Sequence, residues 1–84
     1  MRIEGVIWLR HVSEKLAFKH QVDIHEVEEV LNNFPKFRFI EKGDRKGEDI
    51  YMASGQTDGG RYLSVLFIYK VTKEALIFKR QRYG

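Results

Sequence analysis

The eight residues Tyr62-Leu63-Ser64-Val65-Leu66-Phe67-Ile68-Tyr69 form a nearly unbroken apolar run. A strand with one buried face needs only alternating apolar residues, so a filled run predicts a central strand covered on both sides. It lies within Gly47–Arg82, which reads as three consecutive antiparallel strands. The first connection carries Asp58-Gly59-Gly60, and Asp-Gly is a strong hairpin signal because glycine reaches positive φ without steric cost. The second, around Lys70-Val71-Thr72-Lys73, has neither Gly nor Pro to mark it.

At 84 residues the chain is read as one domain, 1–84, near the small end of what folds alone. It has no cysteine, so disulfides and thiolate zinc sites are excluded and a reducing, cytoplasmic location is expected. The apolar patch before Arg10 is too short for a signal peptide or a membrane span, so no membrane association is expected. The net charge of +3 is unevenly spread. Residues 1–56 hold nine basic and ten acidic side chains, whereas residues 57–84 hold six basic and two acidic. That asymmetry suits a polyanion such as RNA or DNA, or else a basic edge that discourages strand-to-strand aggregation.

Residues Ile3 to Trp8 are apolar and partly β-branched, which suits a brief edge strand or an extended lead-in, with Gly5 weakening regular pairing. Ser13 is a candidate N-cap for a first short helix, in which Val12, Leu16 and His20 share one line. Asp23 and Glu26 have capping-box spacing for a second helix, whose buried stripe is Ile24, Val27, Val30 and Leu31. Pro35 ends it, and Lys36-Phe37-Arg38-Phe39-Ile40-Glu41 reads as a strand with one side buried and the other basic or polar. The expected architecture is α+β: two N-terminal helices packed on a four-stranded, mainly antiparallel sheet.

Trp8, Lys19-His20, Val22 with Glu26 and Val30, Gly47-Glu48, Gly55 and Gly60-Arg61 occur in an order that resembles the BrnT family of type II toxin–antitoxin toxins. The segments KHQVDIHEVEEVL and GEDIYMASGQTDGGRYLSVLF carry the resemblance, which spans roughly residues 6–78. It implies a RelE-like fold and a small ribonuclease that arrests translation. It also implies a BrnA-like antitoxin with a ribbon-helix-helix part, through which alone the complex would touch operator DNA. Gln21 stands where the family commonly has glycine. The family's Ser/Thr-Ala-Arg motif is replaced by Lys79-Arg80-Gln81, with Arg82 one position beyond, and the C-terminal helix that follows in the family is expected to be absent.

Metal-independent RNA cleavage needs a base for the 2′-hydroxyl proton, an acid for the leaving oxygen and cations around the phosphorane. Neither paired carboxylates nor a His-x-x-x-His spacing suggests a metal, and no cofactor is expected. The candidate catalytic residues are Arg61, Arg80, Arg82 and His20, the last alternatively a core or helix-terminal histidine. Candidate RNA-binding residues are Lys19, Lys79, Tyr62, Tyr69 and Glu48. The tyrosines are alternatively packing residues, and Glu48 either pairs with a strand-end arginine or is a turn residue. Two other readings remain: a module of the same ancestry that binds its antitoxin without cutting RNA, and a small nucleic-acid-binding domain. A last strand left exposed would favour a homodimer or a partner-bound complex.

Overall fold

Five strands and one helix make up the regular structure of residues 1–9 and 23–82, the part of the chain described by this computed structural model, with side chains through Phe78. The elements are β1 (Gly5–Trp8), α1 (Ile24–Asn32), β2 (Lys36–Glu41), β3 (Asp49–Gln56), β4 (Tyr62–Tyr69) and β5 (Glu74–Arg82). They form one sheet of order β1-β5-β4-β3-β2. The pairs β2–β3, β3–β4 and β4–β5 are antiparallel, whereas β1 runs parallel to β5, with Val6 opposite Ala75 and Trp8 opposite Ile77.

The expected two helices on a four-stranded, mainly antiparallel RelE-like sheet are therefore corrected. The sheet is five-stranded and mixed, one helix lies among the described residues, and the domain is mostly β. The fifth strand comes from Ile3–Trp8. Its partner is the last strand of the chain, and a parallel pair needs a long crossover that local periodicity does not reveal. Ile3, Val6 and Trp8 pack against the core, which fixes the register of β1. The first predicted helix, with its N-cap Ser13, lies outside the described residues.

Helix α1 forms as its local chemistry dictates. The Asp23 carboxylate accepts from the His25 amide at 2.8 Å, and Glu26 Oε1 accepts from the Asp23 amide at 3.2 Å. Both arms of the capping box are thus made, and two orphan backbone donors are satisfied. Val27 and Val30 are fully buried, and the helix lies close over β3 at Gly55. A Cβ there would sit 3.3 Å from Pro35 and 3.6 Å from Val30, so the missing side chain permits the approach.

The core joins Val27 and Val30 to Ala53, Leu63, Val65, Phe67, Ala75 and Ile77, all with zero exposure. Phe67 is its centre: the Tyr51 ring stacks on it at 6.2 Å and Phe37 meets it edge-on, also at 6.2 Å. The opposite side of β4 carries buried Ser64 and half-buried Leu66 and Ile68. Ser64 shares a hydroxyl hydrogen bond with Ser54 at 3.0 Å across the β3–β4 pair.

The two hairpin loops share one geometry. Thr57 N donates to Arg61 O and Gly60 N to Thr57 O, each at 2.9 Å. Lys70 N donates to Glu74 O and Lys73 N to Lys70 O, again at 2.9 Å. The left-handed position is Gly60 in the first (φ 88°) and Lys73 in the second (φ 67°). The Asp-Gly signal thus marks a longer loop than the two-residue reversal it most often makes.

No helix among the described residues is long and apolar enough to cross a membrane. Strand β5 lies between β1 and β4, which corrects the exposed last strand that was the reason for expecting a homodimer.

Candidate functional site

Three hydrogen bonds hold the β3–β4 loop against α1 and its C-cap, and thereby place Arg61. Asn33 Nδ2 donates to Gln56 O at 3.0 Å and to Asp58 Oδ1 at 2.9 Å. Glu29 Oε1 accepts from the Asp58 amide at 3.0 Å. The Arg61 amide donates to Thr57 Oγ1 at 3.1 Å, inside the loop. The Arg61 guanidinium reaches Glu26 on α1, with Nη1 3.2 Å from Oε1 and 3.3 Å from Oε2. Arg61 is therefore a positioned, partly buried cation whose charge is matched by a carboxylate.

Next to it, Tyr62 takes the opposite direction. Leu63 is buried towards the helix, so alternation turns Tyr62 to the other side of the sheet, where it is 56% exposed. That side also carries Lys36 and Arg38 of β2. Phe37 packs into the core and Phe39 meets Tyr51 edge-on at 5.6 Å, leaving the two cations on the side away from α1. Lys36 is paired with Ser54, which is paired with Ser64, and Gln56 is paired with Tyr62. Lys36 and Tyr62 are thus separated by β3, about 10 Å across the strands. Both lie at the end of the sheet where Arg61 enters β4.

The backbone of β5 arrives at the same end. Arg82 is in register with Leu63, Gln81 with Ser64, Arg80 with Val65 and Lys79 with Leu66, and the ladder shifts between Leu66 and Phe67. Arg61 and Arg82 thus belong to one end of one strand pair, although they are distant in sequence.

The other expected residues do not join them. Tyr69 closes β4 at its far end, roughly 25 Å along the strand from Arg61. Its hydroxyl donates to the Arg2 carbonyl, which ties down the N-terminal segment. Glu48 is at that far end too, and its partner is Lys70 rather than an arginine. The hydrogen bond from Lys70, with the Lys70 and Arg45 charges, holds the Glu48 carboxyl below its ordinary range despite an opposing burial effect. An open cavity of about 350 Å³ there mixes Lys42 and Arg45 with Glu41, Asp44 and Glu48, so its charges largely offset. Lys19 and His20 lie outside the described residues. Among the described residues no group of three His, Asp or Glu side chains gathers to hold a metal.

Sequence reasoning missed Phe34. It is 98% exposed and sits at φ 51°, in the left-handed region, directly after the helix C-cap Asn33. Asn-Asn-Phe-Pro reads as a helix stop, and nothing local says which way the phenyl ring will face. The basic side of β2 was legible in its alternation, but its alignment with Tyr62 depends on β3 lying between the two strands.

Comparison of the chain with protein-family models, with curated proteins and with solved structures gave no match.

Proposed function

We propose that this chain acts on RNA as a small metal-independent ribonuclease of the toxin type that its sequence resembles, working in the cytoplasm and neutralised by an antitoxin. The carrying observation is the side of the sheet away from α1, where Lys36, Arg38 and Tyr62 are all exposed and Glu41 stands only at the far end. Cations spaced along a strand suit successive phosphates, and an exposed tyrosine suits a stacked base. Arg61, which turns to α1 at the rim of this end of the sheet, is the candidate cation for a phosphorane, and Arg80 and Arg82 are further candidates because their backbone reaches the same strand end. His20 remains the candidate proton carrier of this reading.

A second reading, binding without cleavage, is favoured by one contact. Glu26 neutralises the arginine assigned to the phosphorane, so an incoming phosphate must share or displace that carboxylate.

The test is incubation of the purified chain with a labelled single-stranded RNA, assaying cleavage and binding separately. Cleavage is expected, and Arg61→Ala should slow it at least about tenfold, roughly 1.4 kcal/mol of barrier, with folding checked by thermal melting. Binding without cleavage selects the second reading. Neither binding nor cleavage overturns both.

A further inference from the structure

The outer edge of β2 is one of the two borders of the sheet among the described residues. Among the described residues β2 pairs only with β3, so one row of its backbone N–H and C=O groups faces outward. Three exposed large apolar residues are spread along this segment, Phe34 (98%) before the strand's entry and Phe39 (51%) and Ile40 (38%) near its end. Phe34 is held there at a cost, because a bulky residue in the left-handed region is disfavoured by about 1–2 kcal/mol. Its neighbours fix it in place, since the Asn33 side chain is tied to Gln56 and Asp58 while Pro35 packs over Gly55.

We propose that this edge is a docking site for an extended segment of a partner polypeptide, which adds to the sheet as a sixth strand and alternates acidic with apolar side chains. Main-chain hydrogen bonds to β2 supply the affinity of such an addition, and the side chains supply its specificity. The two sides of β2 dictate the alternation. Acidic residues on the side away from α1 meet exposed Lys36 and Arg38, and apolar residues on the helix side meet Phe39, with Phe34 at the strand's entry.

A second copy of this chain fits the edge less well. The Ile40 bulge, where the register jumps between Phe39 and Glu41, bends the strand and confines flat pairing to residues 36–39. Antiparallel self-pairing over that stretch sets Arg38 against Arg38, or Lys36 against Arg38, and like charges directly opposite destabilise a sheet. An acidic strand removes the conflict, and it is favoured by the +3 net charge. The proposal deepens the partner side of the toxin reading and rests on it only for the partner's biological role. Because acids seated on Lys36 and Arg38 would cover the RNA-facing cations, the partner would block RNA by occupancy.

The experiment titrates the full chain with a synthetic peptide of alternating Glu and Val, about one strand long, and follows amide protection along β2 by NMR. Controls are a Lys-Val peptide and a Glu-Val peptide N-methylated at alternate residues. Binding of the Glu-Val peptide should protect β2 amides and should weaken about tenfold or more on N-methylation or in the Lys36→Glu, Arg38→Glu double variant. Phe34→Gly should also weaken it while leaving the fold at least as stable, because that change relieves the left-handed strain. Equal binding of the Lys-Val or N-methylated peptide overturns the proposal. So does a dimer by sedimentation whose β2 amides are already protected without peptide, since the edge would then belong to a second copy. RNA cleavage is assayed apart, so a chain that binds the peptide and leaves RNA intact sinks the ribonuclease reading alone.

Discussion

Glu26 serves two partners with one carboxylate: Oε1 accepts from the Asp23 amide at 3.2 Å and from Arg61 Nη1 at 3.2 Å. The same side chain closes the capping box of α1 and ties the start of β4 to that helix. The two roles separate by substitution, because glutamine can replace glutamate in a capping box but cannot form an ion pair. Glu26→Gln should therefore cost only the charge term, on the order of 1 kcal/mol for a pair about a third to a quarter exposed. Glu26→Ala should cost about 1 kcal/mol more through the lost cap. Urea denaturation of both variants checks this, and equal losses would mean that the cap contributes nothing.

The matched loops make an internal control for backbone strain. Gly60 and Lys73 occupy equivalent left-handed positions, and a Cβ on Gly60 would meet no atom within 4 Å. Gly60→Ala thus changes backbone energetics alone and should destabilise by roughly 1 kcal/mol. Lys73→Gly should stabilise by somewhat less, because glycine returns part of the gain as unfolded-chain entropy. Opposite shifts in melting temperature are expected, and shifts of the same sign would refute the shared geometry.

Glu48 and Lys70 give the fold an acid-sensitive contact. The Lys70 hydrogen bond holds the folded-state value of Glu48 below its ordinary 4.5. A lowered folded value means that the contact contributes fully above pH 4.5, begins to weaken below it and is lost as pH falls through the folded value. Lys70→Met should return the Glu48 titration, followed by carboxyl carbon NMR, towards its ordinary range and flatten the acid limb of the stability profile. An unchanged Glu48 titration in that variant would show that another group sets it.

Much of this architecture was legible without coordinates because its signals are local. The capping spacing of Asp23 and Glu26, the buried stripe through Val27 and Val30, and the Phe37/Phe39 alternation each act within a few residues. The first two appear where they were read, and Phe37 and Phe39 do share one side of β2, but only Phe37 packs against the core while Phe39 is 51% exposed. The Lys73 turn was the weaker signal because a lysine was doing what glycine usually does.

The amino-acid order by itself determined α1, the strands β2 to β5 and the antiparallel succession of β3, β4 and β5, since periodicity and turn chemistry are short-range forces. Tertiary structure alone decided that Gly5–Trp8 pairs in parallel with β5, that β5 is thereby interior, and that β2, among the described residues, has β3 as its one strand partner with Phe34 just before it. It also decided that Arg61 meets Glu26 while Tyr62 and Lys36 lie on the same side of the sheet with β3 between them. These are contacts between distant segments, fixed by which apolar faces bury together, and no local pattern encodes the partner of a strand.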